Sequence, residues 1–298
     1  MIDLHSHSTA SDGTNTPTQL IQKAHLAGID TFALTDHDTI AGVMEAKEVA
    51  LNLGVRLIHG VEISCTHELA GGYGRQKELQ KIIHVVALDF DDTKAMHDAL
   101  QALQDSRHQR GRRIIEKLGE ILADDDPDLT ERLWQAVLAK AGNNPRAIGR
   151  AHIAQALFEL GFVPSVQAAF DKYLADGKAA YVAIETISMQ RTIRLIHECG
   201  GLAVLAHPTR YGLSATRTRK LIADFAHLGG DACELPNNEP DSLRAMIDRS
   251  IAEHGLLVSV GSDFHGENMP WRKLGAVAKV KSGQVGVWER FGEHGRLG

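Results

Sequence analysis

The residues that could do chemistry come in short runs. Asp3-Leu4-His5-Ser6-His7 sets two imidazoles two positions apart, and Asp263-Phe264-His265 does the same with a carboxylate and an imidazole. On an extended strand such pairs project from one face, so each pair could hold one metal ion. Between them lie Thr35-Asp36-His37-Asp38, Gly60-Val61-Glu62-Ile63-Ser64, a lone His84 and Ala206-His207-Pro208. Mixed imidazole and carboxylate sets suit transition metals. A single histidine is ordinarily a hydrogen-bonded core or surface residue. Six of them with carboxylates, at equivalent places in six separate segments, point jointly to a metal cluster. The other ten of the sixteen histidines fall in helical patterns, a strand interior, a loop and the tail, and most read as structural or solvated.

The elements that must position these residues alternate strand and helix over roughly the first ninety residues. Residues 1–7 read as a strand. Thr16-Pro17-Thr18 then reads as an N-cap with proline at the first helical position, and the helix stops at Gly28. A buried strand over 31–35 and a helix over 40–53 follow. Strands over 55–63 and 82–90 flank a turn-rich stretch with Gly71, Gly72 and Gly74. From about Asp92 to Ile187 the pattern is helical without a convincing strand, with helices expected over 95–122, 129–140, 150–160 and 165–174. The frame then resumes with helices over 189–199, 216–228 and 241–254 and strands over 201–206, 232–235 and 256–261. The expected division is therefore a β/α frame, residues 1–92 and 188–298, with an all-helical insert, 93–187. Repeated β/α units with apolar strands imply an α/β fold, a parallel sheet covered by helices. About seven such strands favour a closed or nearly closed barrel, with a doubly wound open sheet as the alternative. In β/α barrels the C-terminal strand ends form the active face, and the His, Asp and Glu runs should converge there.

At 298 residues the chain can bury a large core. Its net charge of -6 gives no basic platform for long duplex nucleic acid, but leaves short or single nucleotides open as partners. Cys65, Cys199 and Cys233 are scattered, form no CxxC pair, and read as buried small residues in a reducing compartment. No apolar run approaches the roughly 18 residues that span a bilayer, and the first residues lack a signal-peptide pattern. The expected location is the cytoplasm, with no membrane partner.

Taken together, DLHSHS, TDHD, GVEIS, an isolated histidine, AHP and GSDFH resemble the PHP (polymerase and histidinol phosphatase) superfamily. The helical insert resembles its stand-alone branch, which acts on 3',5'-bisphosphonucleotides and on short RNA from the 5' end. The resemblance implies a distorted seven-stranded β/α barrel with two or three divalent ions, manganese first, with iron and zinc accepting the same ligands. It implies that His5, His7, Glu62 and Asp263 hold one ion. Glu62 bridges to a second, completed by His84 and His207, and Asp12, His37 and His265 hold a third. The family often has a histidine near Asp12, and Asp12-Gly13 can also be a simple turn. Asp3, Asp36 and Asp38 are expected behind the ligands, where carboxylates commonly accept an imidazole N–H.

The expected reaction is hydrolysis of the 3'-phosphate ester of a 5'-phosphorylated nucleotide, giving a 5'-nucleotide and phosphate. The alternative is 5'-to-3' cleavage of short 5'-phosphorylated RNA. Bridging by Glu62 suits water activation between two ions about 3.5–4 Å apart, and His207 or a coordinated water would protonate the leaving group. Glu62, His207 and Asp263 are thus the residues expected nearest the reaction. The insert follows the fourth strand and can cap the active face. Within it Arg150-x-His152-Ile-Ala and Gly177-Lys178-x-x-Tyr181-Val look like recurring signatures of the branch. Guanidinium and ammonium groups suit a second, non-reacting phosphate, so Arg150, His152, Lys178 and Arg210 are candidate substrate contacts. Glu234, Asn237 and Asn238 could contact base or ribose, or only close a turn. Two rivals remain. Amidohydrolases also begin with HxH and end with Asp, but usually need a bridging Lys or Glu in mid-barrel. Non-catalytic PHP modules tend to lose ligands, whereas every position here has one.

Overall fold

The computed structural model describes residues 1–69, 79–122, 126–183 and 186–292; the stretch with Gly71, Gly72 and Gly74 lies outside them. The first elements are β1 (Ile2–Asp3), α1 (Pro17–Leu26), β2 (Thr31–Leu34), α2 (Ala41–Leu53), β3 (Arg56–Leu69) and β4 (Leu79–Leu88). Helix α1 begins as its sequence requires. The Thr16 side chain accepts the Gln19 N–H, and the Gln19 side chain returns to the Thr16 N–H. Pro17 takes the first helical position, where an N–H would have no helical partner. Helix α2 ends at Gly54, whose φ of 70° is the left-handed cap that favours glycine.

A helical stretch follows: α3 (Thr93–Leu122), α4 (Leu129–Lys140), α5 (Arg150–Glu159) and α6 (Val166–Ala169), the last continued by a π turn over Phe170–Leu174. The alternation resumes with β5 (Ile187–Ser188), α7 (Met189–Glu198), β6 (Leu202–Leu205), α8 (Ala215–His227), β7 (Ala232–Glu234), α9 (Asp241–Glu253) and β8 (Leu257–Ser259).

The sheet runs β1-β2-β3-β4-β6-β7-β8, with short β5 paired to the outer part of β3. Beyond β1 and β8 the chain continues the pairing. The Leu4 N–H donates to the Val260 carbonyl, the Asp263 N–H to His5, and the His7 N–H to Phe264, all at 2.9 Å. The two ends of the sheet thus meet, giving a curled seven-stranded barrel rather than an open doubly wound sheet. The expectation of an all-parallel sheet needs one correction. Strand β4 runs antiparallel to both β3 and β6. Parallel neighbours need a crossover of a dozen or more residues, and only residues 70–78 separate β3 from β4.

The chain divides into two compact units. One comprises Met1–Ser8, Gly13–Asp98 and Thr186–Gly298, the other Thr9–Asp12 and Ala99–Glu185. The first unit packs Leu20, Phe32, Val43 and Leu57 between its first helices and the sheet, and Leu4, Ile58, Val86 and Val204 among its strands. The second has its own core around Ile114, Leu118, Leu133, Val137, Leu157 and Leu174. Full burial of side chains of this size contributes about 1.5–3 kcal/mol each, so each unit carries an independent apolar core.

Candidate metal centre

The parallel strands of the barrel end on one rim, and the predicted ligands arrive there from different elements. His5 and His7 extend beyond β1, and both are buried. His37 follows β2 and pairs with Glu62 of β3 as an isolated parallel bridge. His84 lies opposite Ser64 in the antiparallel register, so β4 delivers it to the rim from its middle rather than from its C-terminal end. His207 follows β6, and Asp263 and His265 follow β8. Asp38, His207 and Asp263 adopt φ values of 54°, 26° and 51°, the left-handed region that non-glycine residues rarely occupy. Such backbone costs about 1–3 kcal/mol per residue and persists where the surroundings over-determine it. Gly261 is required by close approach, since a Cβ there would collide with His5.

The buried Glu62 carboxylate is the hub of the cluster. Its Oε2 faces His5 Nε2 at 3.4 Å, His7 Nε2 at 3.3 Å and His37 Nδ1 at 3.1 Å. Its Oε1 faces His84 Nδ1 and His207 Nε2, each at 2.9 Å. Asp263 Oδ1 closes the other side, 3.6 Å from His5 Nε2 and 3.2 Å from His7 Nε2. His7, His37 and His265 form a further group with donor atoms within 4.8 Å of one another. The eight expected ligands that belong to the barrel unit thus form one connected cluster. The ninth, Asp12, belongs to the helical unit, where it lies beside Gly149 and His152.

The donor set fits divalent cations. His5 Nε2, Glu62 Oε2, His84 Nδ1 and His207 Nδ1 are buried without a hydrogen bond. Orphaned buried groups of this kind are costly unless something else satisfies them. Burial opposes the charged form of Glu62, yet His84, His37 and His5, with the His207 hydrogen bond, hold its carboxyl well below the usual range. Burial likewise opposes charge on Asp263, and His5, His265, His7 and Arg272 outweigh it. For His5, burial disfavours the imidazolium, but Glu62, Glu234 and Asp263 raise its pKa well above normal. The cluster is therefore strongly polarised, with imidazole and carboxylate donors aimed at common points.

Behind it, Asp3 accepts the N–H groups of Ser262 and Gly275 at 2.9 and 2.8 Å, tying the chain after β8 to β1. Asp36 takes both the N–H and the hydroxyl of Ser8, each at 2.7 Å, and Asp38 takes the Ser64 N–H at 2.8 Å. These carboxylates fix the backbone that carries His5, His37 and Glu62.

Sequence reasoning placed Glu234 at a strand end but read it as a base, ribose or turn contact. Its buried carboxylate instead meets His5 Nδ1 at 2.6 Å. A carboxylate only accepts, so His5 donates from Nδ1 and turns Nε2 toward Glu62 and Asp263. Such a partner fixes the tautomer and raises ligand basicity. Glu234→Ala should therefore weaken divalent-metal affinity by about 10–100-fold, read by calorimetric titration of the metal-free protein. Unchanged affinity would reduce Glu234 to packing.

Arg272 was also missed, because it lies in the irregular chain after β8 with no motif around it. It donates to the Asp263 carbonyl at 2.8 Å and pairs with the Asp263 carboxylate at 2.6 Å. The Arg210 guanidinium pairs with the same carboxylate oxygen. Among the other substrate candidates, Asn237 donates to the Ala276 carbonyl, and Asn238 takes a left-handed turn conformation with φ 58°. Arg150 donates to the Leu174 carbonyl and pairs with Asp176, both at 3.2 Å. Lys178 is exposed. His152 is buried at the start of α5, where its Nδ1 accepts the Gly149 N–H at 3.2 Å. That acceptor role needs the neutral ring, and burial lowers its pKa accordingly.

Comparison with known proteins agrees with this geometry. A 5'-3' exoribonuclease from Haemophilus influenzae is 38% identical over 97% of this chain and 98% of its own. A 3',5'-nucleoside bisphosphate phosphatase from Chromobacterium violaceum is 34% identical, over 92% of this chain and 90% of its own. Among solved structures, a Chromobacterium violaceum protein described as an amidohydrolase, with bound sulfate and no metal, superposes with a TM-score of 0.83. It is 30% identical, covering 98% of this chain and 96% of that one. A Bifidobacterium adolescentis protein described as a metal-dependent phosphoesterase gives a TM-score of 0.75 at 29% identity, covering 97% and 94%. The PHP domain model matches residues 3–198, and with the ligand cluster on the barrel rim this chain belongs to the PHP domain family.

Proposed function

We propose that this chain is a metal-dependent phosphoesterase that hydrolyses the 3'-phosphate ester of 5'-phosphorylated nucleotides, its smallest substrate being a 3',5'-bisphosphonucleotide. The observation that carries this reading is the sharing of Glu62. One buried carboxylate is faced on one oxygen by His5, His7 and His37 and on the other by His84 and His207. His5, His7 and Asp263 with Glu62 would hold one ion, His84 and His207 with Glu62 a second, and His37 and His265 would serve a third. Manganese is the first candidate, and iron and zinc accept the same donors. With ions bound, these residues would give a site that supplies a nucleophile near neutral pH and offsets charge on phosphate oxygens.

The chain's own residues do the rest. Glu234 orients His5, and Asp263 holds Arg210 and Arg272 beside the cluster. Two guanidinium groups there favour an anionic substrate. Attraction for a second phosphate can position the reacting one, which is why a 5'-phosphate should matter. The relatives named as bisphosphate phosphatase and as 5'-3' exoribonuclease support the same bond, between phosphorus and the ribose 3' oxygen. The 38% identity to exoribonucleases favours short 5'-phosphorylated RNA as a second reading. The three cysteines of this chain are buried and unpaired, which supports a cytoplasmic location, and among the described residues no helix is long and apolar enough to cross a membrane.

Steady-state rates on a 3',5'-bisphosphonucleotide, a 5'-phosphorylated trinucleotide and an amide panel test the reading. The expected kcat/KM on at least one phosphate ester lies in the ordinary enzymatic range of about 10⁴–10⁸ M⁻¹s⁻¹, and it falls when the 5'-phosphate is removed. Hydrolysis of amides with neither phosphate ester cleaved would assign the centre to C–N chemistry.

A further inference from the structure

We propose that Tyr211 is a positioning residue for the second metal group, holding His84 and His207 in register through its hydroxyl. The inference rests on the metal centre proposed above, but not on which phosphate ester is cleaved. His84 and His207 come from different strands, β4 and β6, which run antiparallel. After β6 the chain turns sharply. The Arg210 N–H returns to the His207 carbonyl at 3.0 Å, with His207 at φ 26°. This turn folds Tyr211 back against both ligands. Its ring stands edge-on to His84, 89° between planes, with centroids 6.4 Å apart, and lies 5.4 Å from the His207 ring.

The hydroxyl joins the two strands. It accepts the His84 N–H at 2.9 Å and donates to the Ala206 carbonyl at 2.9 Å. Ala206 precedes His207, so one oxygen fixes the backbone at one ligand and next to the other. The regular pairing of the strands ends at Val85–Leu205. Beyond it the Ala206 N–H still reaches the His84 carbonyl, at 3.1 Å. The phenol has one proton, and that proton is given to a backbone carbonyl. It is therefore not placed to protonate a leaving group, and its part is geometric. Small errors of placement matter here, since catalytic and metal sites need ligands held to about 0.5 Å.

Tyr211→Phe keeps the ring and removes only the hydroxyl. Manganese is titrated calorimetrically into the metal-free forms of the wild type, Tyr211→Phe, His84→Ala and His5→Ala. The phenylalanine variant should weaken one binding step by about 10–100-fold, the range for loss of an outer support. The weakened step should be the one that His84→Ala removes, with the remaining steps near their wild-type affinity. Far-ultraviolet circular dichroism of the metal-free variant should match the wild type. Wild-type affinity at every step would overturn the proposal, as would equal weakening of all steps, or loss of the fold. Full metal occupancy with only the alkaline limb of the pH–rate profile changed would also overturn it, making Tyr211 a proton donor instead.

Discussion

Glu62→Gln should lower kcat/KM by about 10³-fold or more and reduce bound metal by at least one ion per chain. The reason is the division of one carboxylate between two sets of imidazoles. An amide keeps the volume but gives up the charge, and it offers one oxygen instead of two. Its NH₂ group would then face imidazole nitrogens that a cation should occupy. Metal stabilisation of a phosphoryl transition state is worth several kcal/mol, and each 1.36 kcal/mol is tenfold in rate. The metal-free protein should also change. The imidazoles hold the Glu62 carboxyl below its ordinary value although burial pushes it up. Stability from that depression is present above the unfolded value and is lost as pH falls through the folded one. In the glutamine variant this contribution is absent at neutral pH, so metal-free Glu62→Gln should unfold at a lower temperature than the metal-free wild type. Metal analysis, steady-state rates and thermal unfolding check the three parts. Unchanged metal content with unchanged rate would remove the bridging role.

Stripping the metal should be comparably severe. A chelator should take phosphate-ester hydrolysis down by about 10³-fold or more, by the same electrostatic reasoning, and readded manganese should restore it. Ions that bind only the folded chain stabilise it by about 2.7 kcal/mol at a hundredfold excess over Kd. For a chain of 298 residues that corresponds to a rise in Tm of roughly 4 °C. Glu62, Glu234 and Asp263 are buried carboxylates whose charge, among the described residues, faces imidazoles and the guanidinium groups of Arg210 and Arg272. Buried charge without good compensation costs several kcal/mol per group, so the ions should be felt across the whole barrel unit. Activity and Tm that both ignore the chelator would mean that the cluster is held by its internal ion pairs alone.

How much of this was legible in the sequence follows from how local each signal is. His5 with His7 was readable because a two-residue period on extended chain fixes the face, whereas Asp263 and His265 reach the cluster although Asp263 takes a left-handed φ of 51° that strand spacing does not foresee. Helix α1 was readable because Thr16, Pro17 and Gln19 form a complete start signal. His84 is instructive, because it is not at the C-terminal end of its strand. It reaches the rim because β4 runs antiparallel, opposite Ser64, and strand direction is set by the short link between β3 and β4 rather than by the strand's own residues. Glu234 stood at a strand end, but nothing local says that its side chain turns toward His5, 229 residues away in the chain. Tyr211 and Arg272 lie in irregular segments, where no period marks the direction of a side chain. Their roles come from a tight turn at His207 and from the chain after β8, and both are tertiary facts.

The most direct measurement titrates manganese into metal-free protein while counting bound ions and following phosphate release from a 3',5'-bisphosphonucleotide. Turnover should be at background without metal and rise as the sites fill, reaching its plateau at two or more ions per chain, with Glu62→Gln remaining near background throughout. Full turnover by the metal-free protein, or filling of the sites with no hydrolysis of either this substrate or a 5'-phosphorylated trinucleotide, would contradict a phosphoesterase built on Glu62 and its surrounding imidazoles.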